Sequence, residues 1–108
     1  MKLWLTGLLM LAACSRIEAN TFEVDTTGSL DVVATLMLCG DVKPLERRGQ
    51  NLTLSQPAKC EGEGALRVRF KDGRTTDCQI GYVTHGMGQE FRFRLHDGIC
   101  EPVPGDVR

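Results

Sequence analysis

The sequence predicts an all-β protein, a small disulfide-stabilised β-sandwich or barrel. Ala65-Leu66-Arg67-Val68-Arg69-Phe70-Lys71 and Phe91-Arg92-Phe93-Arg94-Leu95-His96 alternate apolar and basic residues with a period of two. That alternation marks a strand with one buried face. Asp72-Gly73 follows the first segment and Asp97-Gly98 the second, and Asp-Gly supplies the positive backbone angles of a tight hairpin turn. The third observation is four widely spaced cysteines, Cys39, Cys60, Cys78 and Cys100. They suit structural disulfides in a chain too small to rely on its core alone.

The first element expected in the domain covers residues 30–38. Leu30, Val32, Ala34, Leu36 and Leu38 alternate, while Leu30, Val33, Ala34 and Met37 also fit a helix. The β-branched Val32, Val33 and Thr35 decide for a buried strand. The hairpin at Asp72-Gly73 offers two registers. A two-residue turn sets Arg67 opposite Cys78 and Val68 opposite Asp77, mixing polar and apolar groups on both faces. A three-residue loop, Lys71-Asp72-Gly73 with Gly73 at positive φ, shifts the pairing by one. Val68 then faces Thr76 and Leu66 faces Cys78, with Ile80 continuing the inner face and Arg67 meeting Asp77 outside. The second register sorts the chemistry and is the one expected.

A faint repeat runs through the chain. Gly49-Gln50-Asn51-Leu52-Thr53-Leu54 and Gly88-Gln89-Glu90-Phe91-Arg92-Phe93 share Gly-Gln-x-apolar-x-apolar, and Cys60-Glu61 and Cys100-Glu101 follow them. The repeat suggests two similar β units, each closed by its own bridge. Pairing is otherwise open, because four cysteines allow three connectivities. Gaps of 20, 17 and 21 residues between them do not match the close pairs of a structural zinc site.

The N-terminus follows a different pattern. Lys2 heads an apolar run from Leu3 to Leu11, too short to cross a bilayer, which needs about 20 residues, and laid out as an export signal. It closes on Leu11-Ala12-Ala13-Cys14. That ending resembles the lipobox of bacterial lipoproteins, whose signal is cut before a cysteine that then carries the lipid. The resemblance covers residues 1–14 and implies a signal peptide, palmitate-type acylation at Cys14 and a membrane address. Ser15 follows in place of an aspartate, so the implied address is the outer membrane, facing the periplasm.

The expected division is a signal at 1–13, a lipid anchor and short lead at 14–29, a single β domain at 30–104 and a tail at 105–108. Parity agrees, since five cysteines less a lipidated Cys14 leave two pairs. A cut after Ala19 has the same parity and yields a soluble secreted disulfide-rich β domain. Asn51-Leu52-Thr53 matches the glycosylation sequon, which suits that alternative in a eukaryotic source.

Charge and chemistry narrow the function classes. Thirteen Lys and Arg against 14 Asp and Glu give no nucleic-acid signature. Residues 17–42 hold five acids and no base, whereas 43–108 hold 11 bases and nine acids. Arg67, Arg69, Lys71, Arg92 and Arg94, joined by His96, point outward and form a cationic face if their strands are neighbours. Such a face fits an acidic protein surface or anionic headgroups. His85 and Met87, in the glycine-rich Tyr82-Val83-Thr84-His85-Gly86-Met87-Gly88, offer ligands suited to copper(I), and periplasmic copper binding is the alternative they support. Three serines after the signal, none in a Gly-x-Ser-x-Gly elbow, and two histidines make poor material for an enzyme. Glu61-Gly62-Glu63-Gly64 is too short and too acidic to cradle phosphate. No cofactor is implied. The expected function is non-enzymatic binding of an envelope partner, of the inhibitor, immunity or exclusion, or assembly-partner type.

Overall fold

The computed structural model describes residues 19–57 and 60–103. Among them are nine strands and no helix: β1 (Ala19–Asp25), β2 (Val33–Leu38), β3 (Asp41–Pro44), β4 (Glu46–Arg48), β5 (Asn51–Pro57), β6 (Gly62–Arg69), β7 (Thr75–Val83), β8 (Glu90–His96) and β9 (Ile99–Pro102). They build a five-stranded sheet, β4-β5-β1-β8-β9, and a four-stranded sheet, β3-β2-β6-β7. Neighbours are antiparallel except β1 and β8, which run parallel.

Alternation explains why two sheets meet. Phe22, Val24, Leu52, Phe93 and Leu95 line the inner face of the larger sheet, and Ala34, Leu36, Leu38, Leu66, Val68, Cys78, Ile80 and Val83 that of the smaller. The two apolar faces leave water only by packing together. Phe22 stacks on Phe91 with ring centroids 5.2 Å apart.

Both open sides of the sandwich are closed. On one, β3 and β4 are a single extended run interrupted only by Leu45, which is buried and donates its N–H to the Ala34 carbonyl at 2.9 Å. The chain turns there from one sheet into the other. On the opposite side the Cys78–Cys100 bridge joins β7 to β9, with Cα atoms 5.3 Å apart. The second bridge, Cys39–Cys60, ties the β2–β3 turn to the β5–β6 connection.

The three-residue hairpin register is the one found. Leu66 pairs with Cys78, Arg67 with Asp77 and Val68 with Thr76. Phe70 N–H donates to the Arg74 carbonyl at 2.8 Å, closing the loop, and Gly73 has φ of +94°. The Asp97-Gly98 hairpin is a two-residue turn with both residues at positive φ, between His96 and Ile99. Gly64 has a packing role: a Cβ there would lie 3.0 Å from Leu38 Cδ1 and 3.1 Å from the Met37 carbonyl oxygen.

Three expectations change. The stretch 14–29, read as anchor and lead, contains β1, and the domain therefore starts before residue 30. Thr21-Phe22-Glu23-Val24-Asp25 alternates as a strand should, and Phe22 and Val24 are wholly buried. The strand expected over 30–38 begins only at Val33, because residues 26–32 carry the chain between sheets. Arg47 holds that crossing by donating to the carbonyls of Leu30 at 3.0 Å and Val32 at 3.3 Å. The bridges do close each half separately, as the repeat suggested, but the halves interlock. β1 lies between β5 and β8, and β2 lies beside β6.

Candidate functional site

The outer faces of the two sheets divide the predicted cationic stripe. Arg67 and Arg69 belong to β6 in the four-stranded sheet and Lys71 to the hairpin beyond it, while Arg92 and Arg94 belong to β8 in the five-stranded sheet. Outward residues of two packed sheets point in opposite directions, so the single face expected from sequence does not form. Two different faces result.

On the five-stranded sheet, β1 supplies acids to the β8 arginines. Glu23 stands beside Arg92 and Asp25 beside Arg94 in the parallel register. Arg92 lies 3.6 Å from Glu23 and 3.5 Å from Glu90. Asp25 accepts from the Thr27 hydroxyl at 2.6 Å and the Thr27 amide at 3.0 Å. These bonds, helped by the Arg94 charge, hold its carboxyl below the ordinary value of 3.8. The acidic excess of residues 17–42 is thus spent in part on the arginines of β8.

The four-stranded sheet presents a mixed face with exposed apolar groups. Val33, Val42 and Tyr82 are 59%, 66% and 56% exposed. Each points outward, because its strand neighbours Ala34 and Val83 face the core and Val42 stands opposite Met37. Arg67 makes two bonds to Asp77, at 2.9 and 3.2 Å. That pairing holds the Asp77 carboxyl below 3.8 and raises the Arg67 guanidinium. Tyr82 donates its hydroxyl to Glu61 at 2.9 Å, which pushes the phenol above its ordinary 10.0. Sequence reasoning found Arg67 and Arg69 but missed Val33, Val42 and Tyr82. The signal was present in the double valine at 32–33, since a strand can bury only one of two consecutive residues.

The glycine-rich loop, residues 84–89, joins the two sheets between β7 and β8. Its ends are tied: Gln89 Oε1 accepts from the Thr84 amide at 3.0 Å, and Asn20 Oδ1 accepts from the Gln89 amide at 2.8 Å. His85 and Met87 occupy the exposed tip. His96 lies at the far end of β8, so the two imidazoles sit at opposite ends of that strand. Among the described residues no three His, Cys, Asp or Glu side chains cluster as a metal site would. Cys14, the expected lipid site, lies outside the described residues.

The fold defines a class, an all-β domain of two sheets held by two disulfides. No protein-family model, curated protein or solved structure matches the chain.

Proposed function

We propose that the protein is a lipid-anchored, non-enzymatic binding protein of the bacterial envelope that meets its partner through the outer face of the four-stranded sheet. The single observation behind the face is that Val33, Val42 and Tyr82 are all exposed on it. They are three of the six exposed large hydrophobics among the described residues, and they share one sheet surface with Arg67 and Arg69: Val33 stands beside Arg69, Val42 beside Met37 and Tyr82 beside Glu63. Exposed apolar and aromatic side chains interspersed with arginine are the usual character of a contact surface. The larger sheet's outer face instead carries Thr21, Glu23, Asp25, Arg92 and Arg94 in paired rows.

The anchor reading rests on the Leu11-Ala12-Ala13-Cys14 ending, and the place of β1 argues against the rival cut after Ala19. Ala19 is the first residue of a strand and Asn20 beside it is 1% exposed. A cut after Ala19 would leave an ammonium group on Asn20, whose side chain already holds Gln89, and charge is costly next to buried groups. A cut before Cys14 leaves five residue steps to Ala19, a reach of at most about 18 Å. The domain would stay at the membrane surface and act on envelope components.

Two measurements test the two halves. Intact mass of the protein from its native host, showing a start at Cys14 plus a diacylglyceryl and an acyl group, is expected; a start at Asn20 without lipid defeats the anchor. Photo-crosslinking residues placed at Val33, Val42 and Tyr82 are expected to yield a shared adduct absent from positions Thr53 and Ser55. Adducts confined to Thr53 and Ser55 defeat the face.

A further inference from the structure

Of the four arginines on the interior strands β6 and β8, three have an acid as a direct neighbour on an adjacent strand. Arg67 stands beside Asp77, Arg92 beside Glu23, and Arg94 beside Asp25 and Glu101. Arg69 differs. Its cross-strand neighbours are Val33 on β2 and Thr75 on β7, both uncharged, and among the described residues no carboxylate lies within 4.0 Å of it. Val33, Thr35, Arg67, Arg69, Gly73 and Thr75 line a shallow cleft of about 350 Å³. Gly73 marks the hairpin end of that cleft.

We propose that this cleft binds a carboxylate side chain of the protein partner, with the Arg69 guanidinium as its main donor. A planar guanidinium presents two parallel N–H groups that match a carboxylate in geometry as well as charge. Thr35 and Thr75 place hydroxyl donors on either side of the arginine row, and the exposed Val33 offers contact to an aliphatic stem. Arg67 lines the same cleft but is committed to Asp77 through two bonds, so one full positive charge remains for the ligand. The fitting partner segment is an extended strand or loop with Glu or Asp flanked by apolar residues. The inference rests on the contact face proposed above and adds the chemistry of what that face recognises.

The test uses the peptide N-acetyl-Val-Glu-Val-amide as probe and its Gln counterpart as control, titrated into the isotope-labelled purified protein. Expected are saturable NMR shifts confined to Val33, Thr35, Arg67, Arg69 and Thr75 with the Glu peptide only. Arg69→Gln should weaken the response about tenfold, the scale of one charge-assisted hydrogen bond, with the rest of the spectrum unchanged. Asp77→Asn, which frees Arg67, should tighten it. Shifts at the cleft with vesicles of phosphatidylcholine and phosphatidylglycerol, but not with the peptide, overturn the proposal in favour of a lipid headgroup. Equal response to Glu and Gln peptides, or an Arg69→Gln variant that binds as before, also overturns it. Either failure leaves the crosslinking result at Val33, Val42 and Tyr82 unaffected, so loss of the cleft and loss of the face are told apart.

Discussion

Removing each disulfide in turn separates its constraint on the chain from its place in the fold. The bridges close loops of nearly equal length, with sequence separations of 21 for Cys39–Cys60 and 22 for Cys78–Cys100. In the chain-entropy model each contributes about 3.3–3.4 kcal/mol. The surroundings break the tie. Cys78 is 1% exposed in the core, so Cys78→Ala with Cys100→Ala also leaves a void worth about 1 kcal/mol and unseals the β7–β9 side. Cys39 is exposed and has φ of +57°, a conformation that costs a side chain about 1–2 kcal/mol. Cys39→Gly with Cys60→Ala recovers part of that cost. The core pair should therefore cost about 4 kcal/mol and the surface pair about 2 kcal/mol. The first figure approaches the whole stability of a marginal domain, about 5 kcal/mol. Urea unfolding of protein purified from an exporting host reads both, through the midpoint and slope. Equal losses, or a larger loss for the surface pair, would refute the reasoning that Cys78–Cys100 seals the sandwich.

Adjacent residues on β6 should respond very differently: Leu66→Ala, at a site with no exposure, is expected to cost about 2–5 kcal/mol. Arg67→Ala, in an ion pair whose side chains are 50% and 34% exposed, should leave the midpoint of the same urea assay nearly unchanged, because solvent screens the pair. Gly73→Ala should destabilise by about 1–2 kcal/mol because of its positive φ, and Gly73→Asn by clearly less; a neutral Gly73→Ala would contradict the three-residue loop. Asp25, Asp72 and Asp77 all have carboxyls held below 3.8 by hydrogen bonds. Their stabilisation is therefore complete above that value and is lost as pH falls through their lower folded values. Thermal unfolding midpoints should be flat with pH above about 5 as far as these groups are concerned, dropping below 3.8, and Asp77→Asn should reduce the size of the acid drop.

The information legible in the amino-acid order is local. The hairpin register followed from two facts within 15 residues, the alternation of Leu66, Val68, Cys78 and Ile80 and the glycine able to take positive φ. A slip of one residue would have turned every one of those side chains to the wrong face. The strand character of β8 was legible for the same reason, and that of β1 was equally present in Phe22 and Val24 but was hidden by its acidic neighbours. Which strands lie side by side is settled by long-range packing. A half-buried strand carries the same alternation whichever sheet receives it, so nothing in the two arginine-rich segments distinguished neighbours from opposite faces. The answer came from non-local pairing: β1 inserted its acids beside Arg92 and Arg94, and β2 and β7 set Val33 and Thr75 beside Arg69. Cysteine pairing was left open for the same physical reason. Spacing limits the loops a bridge can close, but which sulfur atoms meet depends on where packing of the two apolar faces brings the strands.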